Sequence, residues 1–353
     1  MRRGTAARAL LSLVVAAATL VVAGSRLAPP GDSRPNGSIA PGARWFEPSS
    51  PLNTPIPADA RVDPRSPAMV AGLVHMADTK GWPLSVGRWT VPVYYARRAT
   101  PRIRVRLTAS WRPRTWMTGV PIPSVARPDP SHDAHMAVLD LARGCFYEFY
   151  GAERGADGSW RARWANRGSL RGTGIQPAGL STRASGFANF AGLVRPSELA
   201  AGVIPHALVF GHPYTKAGGP VRPATASDGR PESESGAATG TPRPDGVLPI
   251  PIGAHVQLDP SLDLDALSLA PWQRVVARAL QVYGMYLGDT AGTISLNAVA
   301  AQSWEGNPYA RTLGREPYAY LPPALARHLR VLELPAQQDL PTRVVPSACA
   351  RMR

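Results

Sequence analysis

The strongest structural signal in the chain is His135-Met-Ala-Val-Leu-Asp140, followed after Leu141-Ala-Arg-Gly144 by Cys145-Phe-Tyr-Glu-Phe-Tyr150. Both outer segments are rich in apolar, β-branched and aromatic residues, and the short connection ends in glycine. This pattern predicts an antiparallel β-hairpin in which Asp140 opens the turn and Gly144 closes it. Asp140 is therefore interpreted as a turn residue.

The hairpin register divides the side chains between two faces, because successive residues of a strand point to opposite sides. If Asp140 pairs with Cys145, the predicted core face contains Met136, Val138, Cys145, Tyr147 and Phe149. The other face contains His135, Ala137, Phe146, Glu148 and Tyr150. A slip of one residue would exchange the faces.

The second face groups an imidazole, a carboxylate and a phenol, which are the usual groups of a site for proton transfer on a sugar or an acyl group. We predict that Glu148 acts as acid or base, that His135 and Asp133 assist it, and that Tyr150 contacts the substrate. The alternative is that these residues form the solvent face of an edge hairpin.

Further short strands punctuated by Gly and Pro follow the hairpin, beginning with Trp160 to Asn166. They predict a mainly β fold, either a β-sandwich or a jelly roll. Residues Leu269 to Leu287 differ, because their apolar residues recur at helical spacing with Pro271 near the start. We expect one amphipathic helix packed on the sheet.

The sequence predicts three parts. Residues 1–28 read as a signal peptide or N-terminal anchor, because Arg2, Arg3 and Arg8 precede an apolar run from Ala9 to Ala23. Residues 29–43 form a linker and 44–350 a single β-rich domain. Residues 217–246 lack apolar periodicity and are expected to be a mobile insertion.

The signal predicts an extracellular or cell-envelope location, with membrane contact only through the N-terminal segment if it is not cleaved. The formal charge of +15 is almost entirely arginine spread along the chain, which does not favour a nucleic-acid partner. In an exported protein, Cys145 and Cys349 read as one disulfide, although two unpaired thiols remain the alternative. We expect neither a metal site nor a cofactor.

Other residues are candidates for substrate binding. Arg171 lies in the glycine-containing stretch Gly168 to Gly174, and His206 lies at one end of an expected strand. Trp160 and Trp164 share one strand face, and such rings stack on sugars. The alternatives are a surface arginine and core tryptophans.

Several blocks of the chain resemble a group of exported bacterial β-sandwich-like proteins of unassigned function. The blocks are D-x-H-x-x-V-x-D from Asp133, the Tyr147-Glu-Phe-Tyr150 block and A-L-x-x-Y-G from Ala279. The resemblance covers roughly residues 50 to 300 and implies a single domain with the same hairpin. It also places Asp133, His135, Asp140, Glu148 and His206 within shared blocks, but it gives no substrate.

The sequence therefore predicts an exported carbohydrate-active protein, a glycan hydrolase or lyase, whose partner is a polysaccharide or cell-envelope polymer. A non-catalytic cell-envelope protein that binds glycan or has a structural role is the alternative. Burial distinguishes them, because catalysis needs the polar groups together in a groove.

Overall fold

The computed structural model of the chain describes residues 44–111, 115–231 and 241–338, together with Cys349. These residues belong to one compact unit that spans residues 33–353. The predicted signal or anchor and the predicted linker lie outside the described residues. Within the described part of the chain, none of the helices combines the length and the apolar character that a membrane span requires.

Most of the regular structure is β-strand. The strands are β1 (Trp82–Ser85), β2 (Val93–Tyr95), β3 (Arg102–Leu107), β4 (Trp116–Pro121), β5 (Met136–Asp140), β6 (Cys145–Tyr150), β7 (Glu153–Arg154), β8 (Trp160–Ala162), β9 (Trp164–Ser169), β10 (Leu208–His212), β11 (His255–Leu258), β12 (Met285–Thr290), β13 (Ser295–Asn297), β14 (Tyr318–Leu321) and β15 (Leu329–Val331). The mainly β class predicted from the sequence is confirmed.

The strands of the described residues form three sheets. Two sheets have four strands, in the orders β2-β5-β6-β9 and β4-β3-β8-β7. The third has seven strands in the order β14-β1-β13-β10-β12-β11-β15. In this mixed sheet β1 runs parallel to β13 and β10 runs parallel to β12, whereas the other neighbours are antiparallel.

The predicted hairpin is present as β5 and β6. Asp140 pairs with Cys145, and Ala137 pairs with Glu148, so the predicted register is confirmed. The Asp140 carboxylate accepts a hydrogen bond from the Arg143 amide across the turn at 3.2 Å. Gly144 closes the turn with a φ of 66°, a conformation that favours glycine.

Both faces of the hairpin are buried, contrary to the expectation of one polar face. Met136, Val138 and Tyr147 share an apolar cluster with residues of the β4-β3-β8-β7 sheet. Ala137 and Phe146 join the larger cluster that includes the seven-stranded sheet. The hairpin sheet therefore lies between two apolar layers, which the alternation of its sequence does not reveal because both faces carry apolar residues.

Helices make up a smaller part of the described residues. The α-helices of the described residues are α1 (Ser66–Lys80), α2 (Pro196–Ala201) and α3 (Pro271–Val282), and short 3-10 helices span Pro51–Asn53, Ala301–Ser303 and Pro323–His328. The predicted amphipathic helix is α3, but it is shorter at both ends. Tyr286 and Leu287 belong to strand β12 instead. Gly284 separates the two elements with a φ of 67°.

The stretch 217–246 was expected to be a mobile insertion without packed side chains. Within its described residues, Val221 and Ala224 are each only 1% exposed and belong to the larger apolar cluster. Lys216 and Arg230 also form a parallel β-bridge at its start. These few isolated contacts anchor the segment, and they leave no periodic pattern in the sequence.

Cys145 and Cys349 form a disulfide with a Cα–Cα distance of 5.9 Å. Both residues lie in the apolar cluster between the four-stranded sheets. The bond joins the start of β6 to the C-terminal part of the chain.

Candidate functional site

A polar pocket of about 490 Å³ lies where the hairpin sheet meets the carboxyl end of β12. Its lining contains Trp111, Asp133, His135, Tyr150, Trp164, Gly179, Ser181, Thr182, Arg183, Ala184, Gly186, Ala226, Asp228, Arg230, Asp289 and Thr290. Asp289 and Thr290 follow the buried part of β12, which runs parallel to β10. The carboxyl ends of parallel strands are common positions for ligand sites.

Asp133 and His135 enter the pocket from the segment that precedes β5. The intervening Ala134 has a φ of 41°, which is unusual for a residue with a side chain. The Asp133 carbonyl accepts a hydrogen bond from the Gly151 amide at 2.7 Å, and His135 Nδ1 lies 3.1 Å from the Phe149 carbonyl. Backbone strain that is fixed by surrounding contacts is concentrated at functional sites.

His135 and Tyr150 lie together as the strand register predicts. Their ring centroids are 5.6 Å apart, and the Tyr150 hydroxyl accepts a hydrogen bond from Arg163 at 3.3 Å. Burial lowers the pKa of His135, although the nearby Asp133 carboxylate opposes this shift. The imidazole is therefore mainly neutral at pH 7, so it can act as a hydrogen-bond partner or a base.

Asp289 is the pocket carboxyl with the most perturbed environment. Burial and the neighbouring Asp228 carboxylate raise its pKa to about 8, with a further contribution from Asp133. The Arg183 guanidinium opposes this shift. Asp289 is therefore mainly protonated at neutral pH, beside two other carboxyl groups.

Asp228 lies near Asp289 and is held there by Thr290, the residue that follows Asp289. The Thr290 amide donates to the Asp228 carboxylate at 3.4 Å, and the Thr290 hydroxyl lies 3.0 Å from the Thr215 hydroxyl. These contacts fix the segment that contains Asp228 against the end of β12.

Arg183 supplies a buried positive charge to the same pocket. Its guanidinium donates to the Ala191 carbonyl at 3.2 Å and to the Asn189 carbonyl at 2.8 Å. Nearby, Gly186 has a φ of 85°, and a Cβ atom there would lie 1.9 Å from the Thr225 hydroxyl. Loop 181–191 can therefore pack closely against the segment that leads to Asp228 only with glycine at this position.

Glu148 does not have the environment that we expected of the principal acid or base. Its side chain is fully buried, and its oxygens accept hydrogen bonds from the Thr182 amide at 3.1 Å and from the Asn189 amide at 2.8 Å. Burial raises its pKa to about 7, although the hydrogen bonds from these two amides lower it. Glu148 is outside the described pocket lining, so its observed contacts are those of a group that holds loop 181–191 in place.

The two predicted sugar-stacking tryptophans have different surroundings. Trp160 is 6% exposed and packs in the cluster between the four-stranded sheets, so it is a core residue. Trp164 is also buried but lines the pocket, and its indole nitrogen donates to the Leu180 carbonyl at 2.9 Å. The predicted strand Trp160 to Asn166 is in fact two strands, β8 and β9, which belong to different sheets, so the two rings do not share a strand face.

Arg171 and His206 lie outside the described lining of the pocket. Arg171 is exposed beside Gly144 at the hairpin turn. His206 is buried, with Nε2 at 3.0 Å from the Glu198 carboxylate, which also binds Arg195. The expectation that they line one site with His135 and Tyr150 therefore finds no support in the geometry.

Sequence analysis missed Arg183, Asp228, Arg230 and Asp289. Asp289 lies just beyond the predicted helix, and Asp228 and Arg230 lie in the predicted mobile insertion. The sequence signal for Asp289 is an acidic residue that directly follows the mostly apolar run Met285 to Gly288, after the predicted helix. Asp228 and Arg230 had no local signal.

The pocket combines carboxyl groups, a neutral imidazole, guanidinium groups and aromatic rings, and groups of these kinds can transfer protons and bind a polar ligand. Among the described residues, no group of three or more His, Cys, Asp and Glu side chains could hold a metal ion. Comparisons with protein-family models, curated proteins and solved structures give no match.

Proposed function

We propose that this chain is an exported carbohydrate-active enzyme that hydrolyses glycosidic bonds in an extracellular or cell-envelope polymer. The observation that carries the proposal is the protonated carboxyl of Asp289 beside the carboxyl groups of Asp133 and Asp228 in one pocket. Glycoside hydrolases use such a pair: one carboxyl with a raised pKa as acid, and one carboxylate as base or nucleophile.

In this proposal Asp289 donates its proton to the glycosidic oxygen as the bond to the anomeric carbon breaks. Asp133 is the partner carboxylate, which activates water or attacks the anomeric carbon. The proton that the attacking water releases passes to Asp133 or to the nearby His135 and then returns to Asp289, which restores the acid. Loop 181–191, held by Glu148, positions Arg183 in the pocket.

Polar and aromatic lining supports a sugar as ligand. Tyr150 and Trp164 line the pocket together with Trp111, which is 62% exposed. Aromatic faces stack on sugar rings while hydroxyl and charged groups bind sugar hydroxyls. The two four-stranded sheets share one apolar cluster, so we also propose that they form a β-sandwich that supports this pocket.

The test is incubation of the full chain with a panel of cell-wall and plant polysaccharides, scored for released reducing ends and for binding. Asp289→Asn should reduce turnover at least about a hundredfold, because general acid catalysis contributes about that much or more. The matched control is Asp59→Asn at an exposed carboxyl, which should retain activity.

The pH profile tests the same assignment. Turnover should fall as pH rises through about 8, where Asp289 loses its proton. A profile that stays flat from pH 7 to 10 would contradict the role of Asp289 as acid. Binding of a glycan without any cleavage would favour the non-catalytic alternative.

A further inference from the structure

A second polar surface lies on the outer side of the β4-β3-β8-β7 sheet. Strand β3 alternates between the two sides of this sheet, with Val105 and Leu107 buried in the cluster between the sheets. Its exposed residues are Arg102, Arg104 and Arg106. Alternation of this kind is typical of a sheet with one apolar and one solvated face.

The neighbouring strands extend this surface. Arg106 pairs with Trp116 on one side and with Arg161 on the other. The Arg104 guanidinium lies 4.4 Å from the centre of the Trp116 ring, which is 45% exposed. We call Arg104, Arg106, Trp116 and Arg161 the arginine face.

The charge of this face is largely uncompensated. Arg102 binds the buried Asp140 carboxylate at 2.5 Å and is thus part of the fold, and Arg161 pairs with Glu153 at 2.7 Å. No carboxylate of the described residues forms an ion pair with Arg104 or Arg106. The two guanidinium groups are therefore free to bind an anion.

The chain segment that follows β3 leads from the arginine face to the pocket lining. Beyond β3, the Ala109 amide donates to the Arg163 carbonyl at 3.0 Å, and Arg163 in turn contacts Tyr150 in the pocket lining. Trp111, two residues after Ala109, also lines the pocket. This connection is the basis for assigning one bound polymer to both the face and the pocket.

We propose that the arginine face binds an acidic polysaccharide, a glycan chain with uronate carboxylates, and that this chain is the substrate class of the pocket. Arg104 and Arg106 bind carboxylates, and the Trp116 ring packs against a pyranose face. A single-stranded nucleic acid would instead need a series of stacking platforms. This inference rests on the proposed function only for the claim that the bound chain is cleaved.

The experiment measures binding of the full chain to polygalacturonate, to a neutral glucan and to single-stranded DNA, by affinity electrophoresis at two salt concentrations. The test variant is Arg104→Gln with Arg106→Gln. The matched control, Arg278→Gln with Arg311→Gln, removes the same charge from exposed positions elsewhere. Equal unfolding midpoints for the three proteins show that the changes do not affect folding.

We expect polygalacturonate to bind more weakly to the test variant by about five- to tenfold, and to the control within about twofold. Wild type should not retain the neutral glucan. Equal losses in both double variants would overturn the proposal, because net charge alone would then explain binding. Tighter binding of DNA that depends on Arg104 and Arg106 would also overturn it, in favour of a nucleic acid.

Reducing ends released from the same polymers separate the two proposals. Polygalacturonate that binds through Arg104 and Arg106 but stays intact supports the inferred binding face and contradicts the proposed hydrolase. Cleavage of a neutral glycan without binding of any acidic polymer contradicts the inferred binding face alone.

Discussion

Glu148 and Glu198 are both buried, yet their surroundings have opposite effects. Glu198 binds the Arg195 side chain at 2.5 Å and lies 3.0 Å from His206 Nε2. Burial alone would raise its pKa, but His206 and Arg195 outweigh burial and lower the pKa to about 2. Glu148 accepts hydrogen bonds from backbone amides, and burial raises its pKa to about 7.

Glu198 carries a negative charge that is paired within the fold, whereas the negative charge of Glu148 is disfavoured by burial. The Arg195–Glu198–His206 cluster satisfies its own charges and lies outside the described pocket lining. Asp289, which lines the pocket, follows the pattern of Glu148. A raised carboxyl pKa in an open pocket is therefore the better indication of function, whereas a lowered one indicates an ion pair.

The largest expected effect is at Glu198. Glu198→Gln removes the negative charge from a buried guanidinium, and breaking a buried pair costs about 3–5 kcal/mol. We expect the free energy of unfolding to fall by this amount, measured by urea denaturation at pH 7. The control is Glu333→Gln, which breaks the exposed pair with Arg61 and should cost at most about 1 kcal/mol. Similar small losses in both variants would show that the cluster is not a charged pair.

The pH dependence of the free energy of unfolding should have opposite signs for the two glutamates. Since the pKa of Glu198 is lowered in the fold, its contribution is present above about pH 4.5 and is lost as pH falls towards 2. Since the pKa of Glu148 is raised, its contribution is present below about pH 4.5 and is lost as pH rises through 7. Each change amounts to roughly 3 kcal/mol.

Urea denaturation of wild type, Glu198→Gln and Glu148→Gln from pH 2 to 8 measures both slopes. The Gln variant should lack the slope of the glutamate that it replaces and keep the other. Asp289, whose pKa is raised to about 8, also lowers stability as pH rises over this range, so Glu148→Gln should reduce the decline between about pH 5 and 7 without abolishing it. An unchanged decline would contradict the contribution of Glu148.

The sequence was most informative about the hairpin. Five consecutive pairs, from Met136 with Phe149 to Asp140 with Cys145, follow from an apolar pattern and a turn that ends in Gly144. The same pattern could not show that a further layer covers the second face. Burial on that side depends on residues distant in the chain, such as Phe187 and Phe190.

The site was predictable only where the hairpin places it. Asp133, His135 and Tyr150 follow from strand register and lie in one pocket. Glu148 also follows from the register, but loop 181–191 covers it, and no local pattern predicts that contact. Asp228 reaches Asp289 across a separation of 61 residues in an irregular segment, so periodicity could not bring them together.

Glu148→Gln at pH 7 should have a moderate effect on stability. The Gln side chain keeps one acceptor oxygen, but its NH₂ group faces an amide of Thr182 or Asn189 and leaves that donor unsatisfied. We expect a loss of about 1–3 kcal/mol in the free energy of unfolding. On an identified glycan, turnover should fall much less than in Asp289→Asn. Unchanged stability together with abolished turnover would return Glu148 to a direct catalytic role.

The smallest expected effect concerns Ala134, whose positive φ places Asp133 and His135 in the pocket. A left-handed conformation costs an L-residue roughly 1–2 kcal/mol, which glycine avoids, although glycine loses about 0.4–1 kcal/mol through its freer unfolded state. Ala134→Gly should therefore leave stability unchanged or raise it by at most about 1.6 kcal/mol.

The control for Ala134→Gly is Ala71→Gly at an exposed position within α1, which should lower stability by about 1 kcal/mol. The same Ala134→Gly variant should lose glycan turnover severalfold, because a freer backbone holds Asp133 and His135 less firmly. A stability loss equal to that of Ala71→Gly would show that Ala134 is not strained. Retained turnover would show that the backbone strain at Ala134 does not position the site. The pocket and the Arg195–Glu198–His206 cluster would then differ only in how they treat a carboxylate charge.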